Sequence, residues 1–228
     1  MAIEVLDEHE QSELVRVWLH NNGGWIFAGL LAVVGIIVGS TQYSNWRAKQ
    51  LDLAGSAYAK YLEAVANKDQ ASVQSLGDTL RKEHSGSPYA VLSAMSEAES
   101  LLDDGTKIEP ALESLRWAKA HAKLPELQSL VSLRLARVLL QSGDLDQALS
   151  TLGEIQGSGF AAEVAELRGD ILLAKGQAEQ ARSAYDEALL TLDATAPRRS
   201  LVEMKRDDLA LAGANATAAA GDAAKVGG

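Results

Sequence analysis

From Val17 to Trp46 the chain carries no formally charged residue. Inside that window Trp25-Ile-Phe-Ala-Gly-Leu-Leu-Ala-Val-Val-Gly-Ile-Ile-Val-Gly-Ser-Thr-Gln-Tyr43 is an almost unbroken apolar run. The nineteen residues from 25 to 43, at about 1.5 Å each in a helix, reach roughly 28 Å, close to the hydrocarbon thickness of a bilayer. Trp25 stands at one end, and Tyr43 with Trp46 at the other, where amphipathic rings prefer to sit. A buried core helix of this length would keep a polar stripe. The run therefore predicts a single transmembrane helix over 23-43, preceded by a tail over 1-22. A cleaved signal peptide is the main rival, but it would begin with basic residues and end in a small-residue cleavage pattern. Here Glu4, Asp7, Glu8, Glu10 and Glu13 stand against Arg16 alone, which favours an uncleaved anchor.

Orientation is left open by charge. Arg16 flanks the span on one side and Arg47, Lys49 and Lys60 on the other, a lean toward a cytoplasmic C-terminal part. That rule is weak for long segments, which translocate largely regardless of charge. Within the span, Gly35 and Gly39 form a Gly-x-x-x-Gly step that permits close helix packing. Glycine is also simply common in such helices, so the step is a candidate docking face and no more.

Residues 47–228 hold 20 Lys and Arg against 26 Asp and Glu, and show no apolar/polar alternation of strand length. Polar breaks at Asn67–Asp69, Ser85–Pro88, Asp103–Gly105, Lys123–Pro125, Ser142–Asp144, Gly157–Gly159, Lys175–Gly176 and Thr195–Pro197 divide them into about eight helices. A repeat decides the architecture. Gln141-Ser-Gly-Asp-Leu-Asp-Gln-Ala148, with Leu152 and Ile155, matches Ala174-Lys-Gly-Gln-Ala-Glu-Gln-Ala181, with Tyr185 and Ala188. Gly143 to Gly176 and Ala148 to Ala181 are both 33 residues apart. A looser copy, Asp104-Gly105 with Ala111, Leu115 and Ala118, has one extra residue.

The spacing is close to the 34-residue tetratricopeptide period. Glycine closes the first helix of a pair, alanine lets the second helix approach, and the larger residues continue the buried face. The expected fold class is thus all-α: one N-terminal membrane helix, then a tetratricopeptide-like α-solenoid over 44-211 whose last helix, Leu201–Leu211, caps the array. The stretch 212-228 has almost nothing large to bury and reads as a disordered tail.

No chemistry emerges. Cysteine is absent, and His9, His20, His84 and His121 lie in separate segments without a second metal ligand at useful spacing. Gly157-Ser-Gly159 lacks the Gly-Lys-Ser/Thr ending of a phosphate loop. Asp103-Asp104 and Asp207-Asp208 suit solvated surfaces better than paired acid and base. Asn215-Ala-Thr217 is a glycosylation acceptor only in a eukaryotic secretory setting. A formal charge of −10 argues against nucleic acid as a partner. The expectation is no enzyme, no catalytic residue, no cofactor and no metal. What remains is a surface. The first helices of such pairs line a concave face, where Leu130, Leu133, Arg137 and Leu140 would adjoin Glu163, Glu166, Asp170 and Leu173, either as a polypeptide-binding groove or as a solvated face.

The acidic tail ending Glu13-Leu-Val-Arg-Val-Trp-Leu-His-Asn-Asn-Gly23 before one membrane helix resembles the YfgM family, the ancillary subunit of the bacterial SecYEG translocon. So do Ala54-Gly-Ser-Ala-Tyr58, Leu133-Arg-Leu-Ala-Arg-Val138, Leu167-Arg-Gly-Asp-Ile-Leu-Leu-Ala-Lys-Gly176, Ala181-Arg-Ser-Ala-Tyr185 and Met204-Lys-Arg-Asp-Asp-Leu209. The likeness runs from about residue 5 to 211, and the tail beyond departs from it. It implies a bacterial inner-membrane protein with residues 1-22 cytoplasmic and the repeats periplasmic. It also implies association with the SecYEG channel and the periplasmic chaperone PpiD, and handling of newly translocated polypeptides. Two other readings stay open: a structural scaffold of an envelope or division complex, and a cytoplasm-facing regulator.

Overall fold

The computed structural model describes residues 8–103, 107–157 and 159–209. Among the described residues the secondary structure is helical throughout, with no strand. The chain divides into two compact units, Met1–Leu53 and Ala54–Gly228.

The first unit is dominated by α1 (Glu8–Ala66), a 59-residue helix whose final turns, from Ala54, belong to the second unit. None of its apolar window is buried among the described residues, and Trp25 and Ile36 are 83% and 71% exposed. A core helix would bury these side chains, and this one is long and apolar enough to cross a membrane. The hydroxyls in the run turn back onto their own helix. Ser40 Oγ and Thr41 Oγ1 donate to the Ile37 carbonyl at 2.9 and 2.8 Å, and Ser44 Oγ donates to the Thr41 carbonyl at 2.9 Å. Such internal satisfaction is what a solvent without hydrogen-bonding groups demands. The 43/44 boundary expected between span and repeats falls within α1, which continues unbroken to Ala66.

In the second unit the end of α1 precedes α2 (Gln70–Glu83). Then come α3 (Pro88–Asp103), α4 (Ile108–His121), α5 (Pro125–Ser142), α6 (Leu145–Gly153), α7 (Ala161–Ala174) and α8 (Ala178–Thr191). A last helix, α9, covers 199–209. The helices pack as consecutive neighbours, α2 on α3 through α7 on α8, with α5 also touching α7, the pattern of a solenoid of helical pairs.

The repeat signature has a direct structural cause. Gly143 (φ 86°) and Gly176 (φ 76°) are left-handed. At the first, the amides of Gly143 and Asp144 donate to the Leu140 and Leu139 carbonyls at 3.1 and 3.0 Å. At the second, Gly176 and Gln177 donate to Leu173 and Leu172, both at 2.9 Å. Both turns are thus Schellman closures in which a Cβ would be strained. Asp144 then caps α6 by accepting from the Gln147 amide at 3.2 Å. Ala148 and Ala181 are 0% exposed, and Leu152 and Tyr185 are buried beside them. In the looser copy Ala111, Leu115 and Ala118 are equally buried, while Asp104-Gly105 lies outside the described residues.

One position in this register escaped the sequence reading. Sixteen residues before Leu152 stands Ala136, and sixteen before Tyr185 stands Gly169; both are buried. A Cβ on Gly169 would lie 2.4 Å from the Tyr185 ring. The larger residue on the second helix is thus matched by a smaller one on the first.

Candidate functional site

α5 and α7 carry the eight residues expected to form a groove. α5 is buried on most of its circumference, with Val131, Leu133, Leu135, Ala136, Val138 and Leu139 in the main core. Leu133 is therefore a core residue at 4% exposure, and Leu130 and Leu140 pack half-buried against that core. Arg137 is exposed. On α7, Leu173 is exposed, whereas Glu163, Glu166 and Asp170 already have partners.

Those partners come from α9 and the residue before it. Lys205 Nζ donates to Glu166 Oε1 and Asp170 Oδ1, each at 2.8 Å. Arg198 reaches Glu166 at 3.3 Å and Glu163 at 3.5 Å, and the Tyr185 hydroxyl donates to Asp170 Oδ1 at 2.8 Å. Val202, 0% exposed, inserts among Ala165, Leu172, Ala181, Ala184 and Tyr185. The capping helix expected at Leu201–Leu211 is present over 199–209, so three of the acids are spent on holding it. Arg137 and Leu173 are the two of the eight left exposed.

The charge network has a pH signature. Burial pushes the Lys205 ammonium down, but its hydrogen bonds to Asp170 and Glu166 and their charges outweigh this and hold it above the ordinary lysine value. Burial, then the bond to Asp170, pushes the Tyr185 phenol up as well. Both groups hold their protons more tightly folded than unfolded. Their stabilisation is fully present below the unfolded values near pH 10 and is lost as pH rises through the folded ones. Urea midpoints of the full-length protein in detergent are expected to stay level on this account up to about pH 9 and fall above about pH 10. A Lys205→Met variant should show a shallower alkaline fall; an equal slope would remove Lys205 from the account.

A cleft that the sequence did not announce lies between the end of α1, the start of α2 and the second half of α3. It is a cavity of about 690 Å³ floored by Tyr61, Val65, Val73 and Leu101. A smaller one of about 320 Å³ shares Tyr61, Gln70, Val73, Ser100 and Leu101 with it and extends to Arg81 and Glu97. Arg81 is ion-paired with Glu97, which also accepts from Ser114 Oγ at 2.9 Å, tying α2, α3 and α4 together. Burial lowers the Arg81 guanidinium from its ordinary value, without threatening its charge. No glycine-alanine signature marks this first pair, so the break at Asn67–Asp69 was its only sequence signal.

In α1, a Cβ added at Gly35 or Gly39 would meet nothing within 4 Å among the described residues. The described residues contain no group of three His, Cys, Asp or Glu side chains placed to hold a metal. His121 instead stacks on Trp117 at 4.0 Å between ring centroids.

A family model described as a tetratricopeptide repeat-like domain matches residues 16–211. The chain is 32% identical over 207 residues to a protein of Escherichia coli (strain K12) named ancillary SecYEG translocon subunit, covering 90% of this chain and 98% of that protein. Proteins of the same name in Haemophilus influenzae and Neisseria gonorrhoeae are 30% and 28% identical, covering 82% and 90% of this chain and 91% and 98% of theirs. No solved structure matches the chain.

Proposed function

We propose a function from one premise: the chain belongs to the tetratricopeptide repeat-like family, among the ancillary SecYEG translocon subunits. On that premise it is a membrane-anchored adaptor of the SecYEG translocon that assists newly translocated proteins by binding them. The observation that carries this is the joining of two parts in one chain, an apolar helix with none of its window covered and a stack of helical pairs that offers surface instead of chemistry. Tethering supplies the physical rationale. A weak polypeptide-binding surface held near the channel exit works at a raised effective concentration, so high affinity is unnecessary.

The finer parts of the reading follow the family resemblance. Residues 1-22 are the cytoplasmic tail, 23-43 span the inner membrane, 44-211 are the periplasmic repeat domain and 212-228 its tail. PpiD and translocating polypeptides are the partners beside the channel. Gly35 and Gly39 are the helix face offered to another membrane helix, and Arg137 with Leu173 the exposed remnant of the α5–α7 surface. Arg47, Lys49 and Lys60 favour the opposite orientation, with the repeats in the cytoplasm.

A fusion of alkaline phosphatase, active only outside the cytoplasm, after Leu211 decides between them. High phosphatase activity together with co-purification of the channel in mild detergent is the expected result. An inactive fusion beside a fluorescent cytoplasmic reporter at the same position would overturn the periplasmic placement, and absence of the channel from the purified complex would overturn the adaptor role.

A further inference from the structure

The cleft between α1, α2 and α3 has a chemistry of its own. Its size lies in the range of ligand sites, and it is partly open to solvent. Its charged lining is balanced in sign: Arg81 is paired with Glu97 and Glu99 with Arg134 at 3.4 Å, and Lys68 and Lys107 share the lining of the larger cavity with Glu99 and Asp103. Between them stand neutral groups, Gln70, Gln74, Ser96 and Ser100, each able to donate and to accept. The apolar floor of Tyr61, Val65, Val73 and Leu101 completes the lining.

Two features bear on an occupant. Arg81 lines the narrower cavity, and its buried Nε, without a hydrogen-bond partner among the described residues, comes within reach of an occupant's carbonyl oxygen only with a shift of the side chain. The other feature is Lys68 at the mouth. It adopts a left-handed φ of 57°, with its amide and that of Asp69 donating to Val65 and Ala64 at 3.1 and 3.0 Å. This is the turn that glycine closes at 143 and 176. Keeping lysine there retains a side chain at the cleft mouth against a backbone preference for glycine.

We infer that this cleft takes an extended polypeptide segment and holds it chiefly by its backbone, with little regard for its sequence. The inference rests on the reading that the repeats bind other polypeptides. Successive N–H and C=O groups of an extended chain meet serines and glutamines that accept either, and small apolar side chains meet the floor. No charge on the occupant is required.

The test uses the full-length protein in lipid nanodiscs and a fluorescein-labelled peptide of alternating valine and serine, read by fluorescence anisotropy. Ser100→Trp and Gln70→Trp fill the cleft from exposed positions, and circular dichroism melts verify that each variant keeps its fold. Each is expected to weaken binding roughly tenfold or more, while Leu190→Ala, at an exposed position of α8, leaves it unchanged; Arg137→Ala and Leu173→Ala probe the rival surface on α5 and α7. A peptide with the same residues in scrambled order should bind within about threefold of the first; strong sequence dependence would overturn backbone capture. Undiminished binding by both filled variants would overturn the cleft, and loss confined to the Arg137 and Leu173 variants would move the site to α5 and α7. If the wild-type protein binds neither peptide, the polypeptide-binding reading itself fails.

Discussion

Replacing Gly169 with alanine is expected to destabilise the repeat domain by about 2 kcal/mol. Overpacking costs about 3 kcal/mol here, and about 1 is returned by removing a glycine from a helix interior. The clash is with a ring that has little room to yield: Tyr185 is 0% exposed, and its hydroxyl is bonded to Asp170. A Cβ 2.4 Å from that ring forces α7 and α8 apart or turns the ring out of its site. Tyr185→Leu alone should cost a similar amount, about 2 kcal/mol, through the cavity it leaves. Together the two substitutions recreate the Ala136 and Leu152 arrangement of the preceding pair, so the double variant should recover at least about 1 kcal/mol relative to the sum. Urea denaturation of the full-length protein in detergent measures all three. A Gly169→Ala protein as stable as wild type would show that the helices are free to separate.

The second large effect is expected at Lys205. Truncation to alanine leaves Glu166, 8% exposed, with Arg198 alone, and leaves Asp170 with only the Tyr185 hydroxyl. Breaking one side of a buried pair typically costs about 3–5 kcal/mol. Arg198 remains within 3.3 Å, which places the expected loss nearer 2–3 kcal/mol. Lys205→Met combined with Glu166→Gln and Asp170→Asn should be markedly less damaging than Lys205→Ala, because it removes the charges along with their partner. The same urea series reads this, and equal losses in both proteins would mean that packing, not charge, holds α9 in place.

These two sites show what was legible in the chain. Gly143, Gly176, Ala148, Ala181, Leu152 and Tyr185 announced the solenoid because their role is local: a left-handed turn and a helix face are written in adjacent residues. The uncharged stretch around residues 25–43 was legible for the same reason. The phase of α5 and α7 was not. Both are apolar on more than one side, since a central helix packs on its own pair and on the next, and periodicity then gives no outward direction. Leu133 therefore lies inside. Glu166 and Asp170 read as part of a groove or a solvated face because their cations, Arg198 and Lys205, stand some 32 to 39 residues later, beyond any local pattern. The cleft at Tyr61 and Val73 was silent because the first pair lacks the glycine that marks the others.

The match of glycine to ring at 169 and 185 also bears on history. A lineage passing between the alanine–leucine and the glycine–tyrosine arrangements meets a mismatched intermediate in either order, one with a void and one with a clash, each less stable than glycine–tyrosine by about 2 kcal/mol. The two positions are thus expected to change in concert, each narrowing what the other can become.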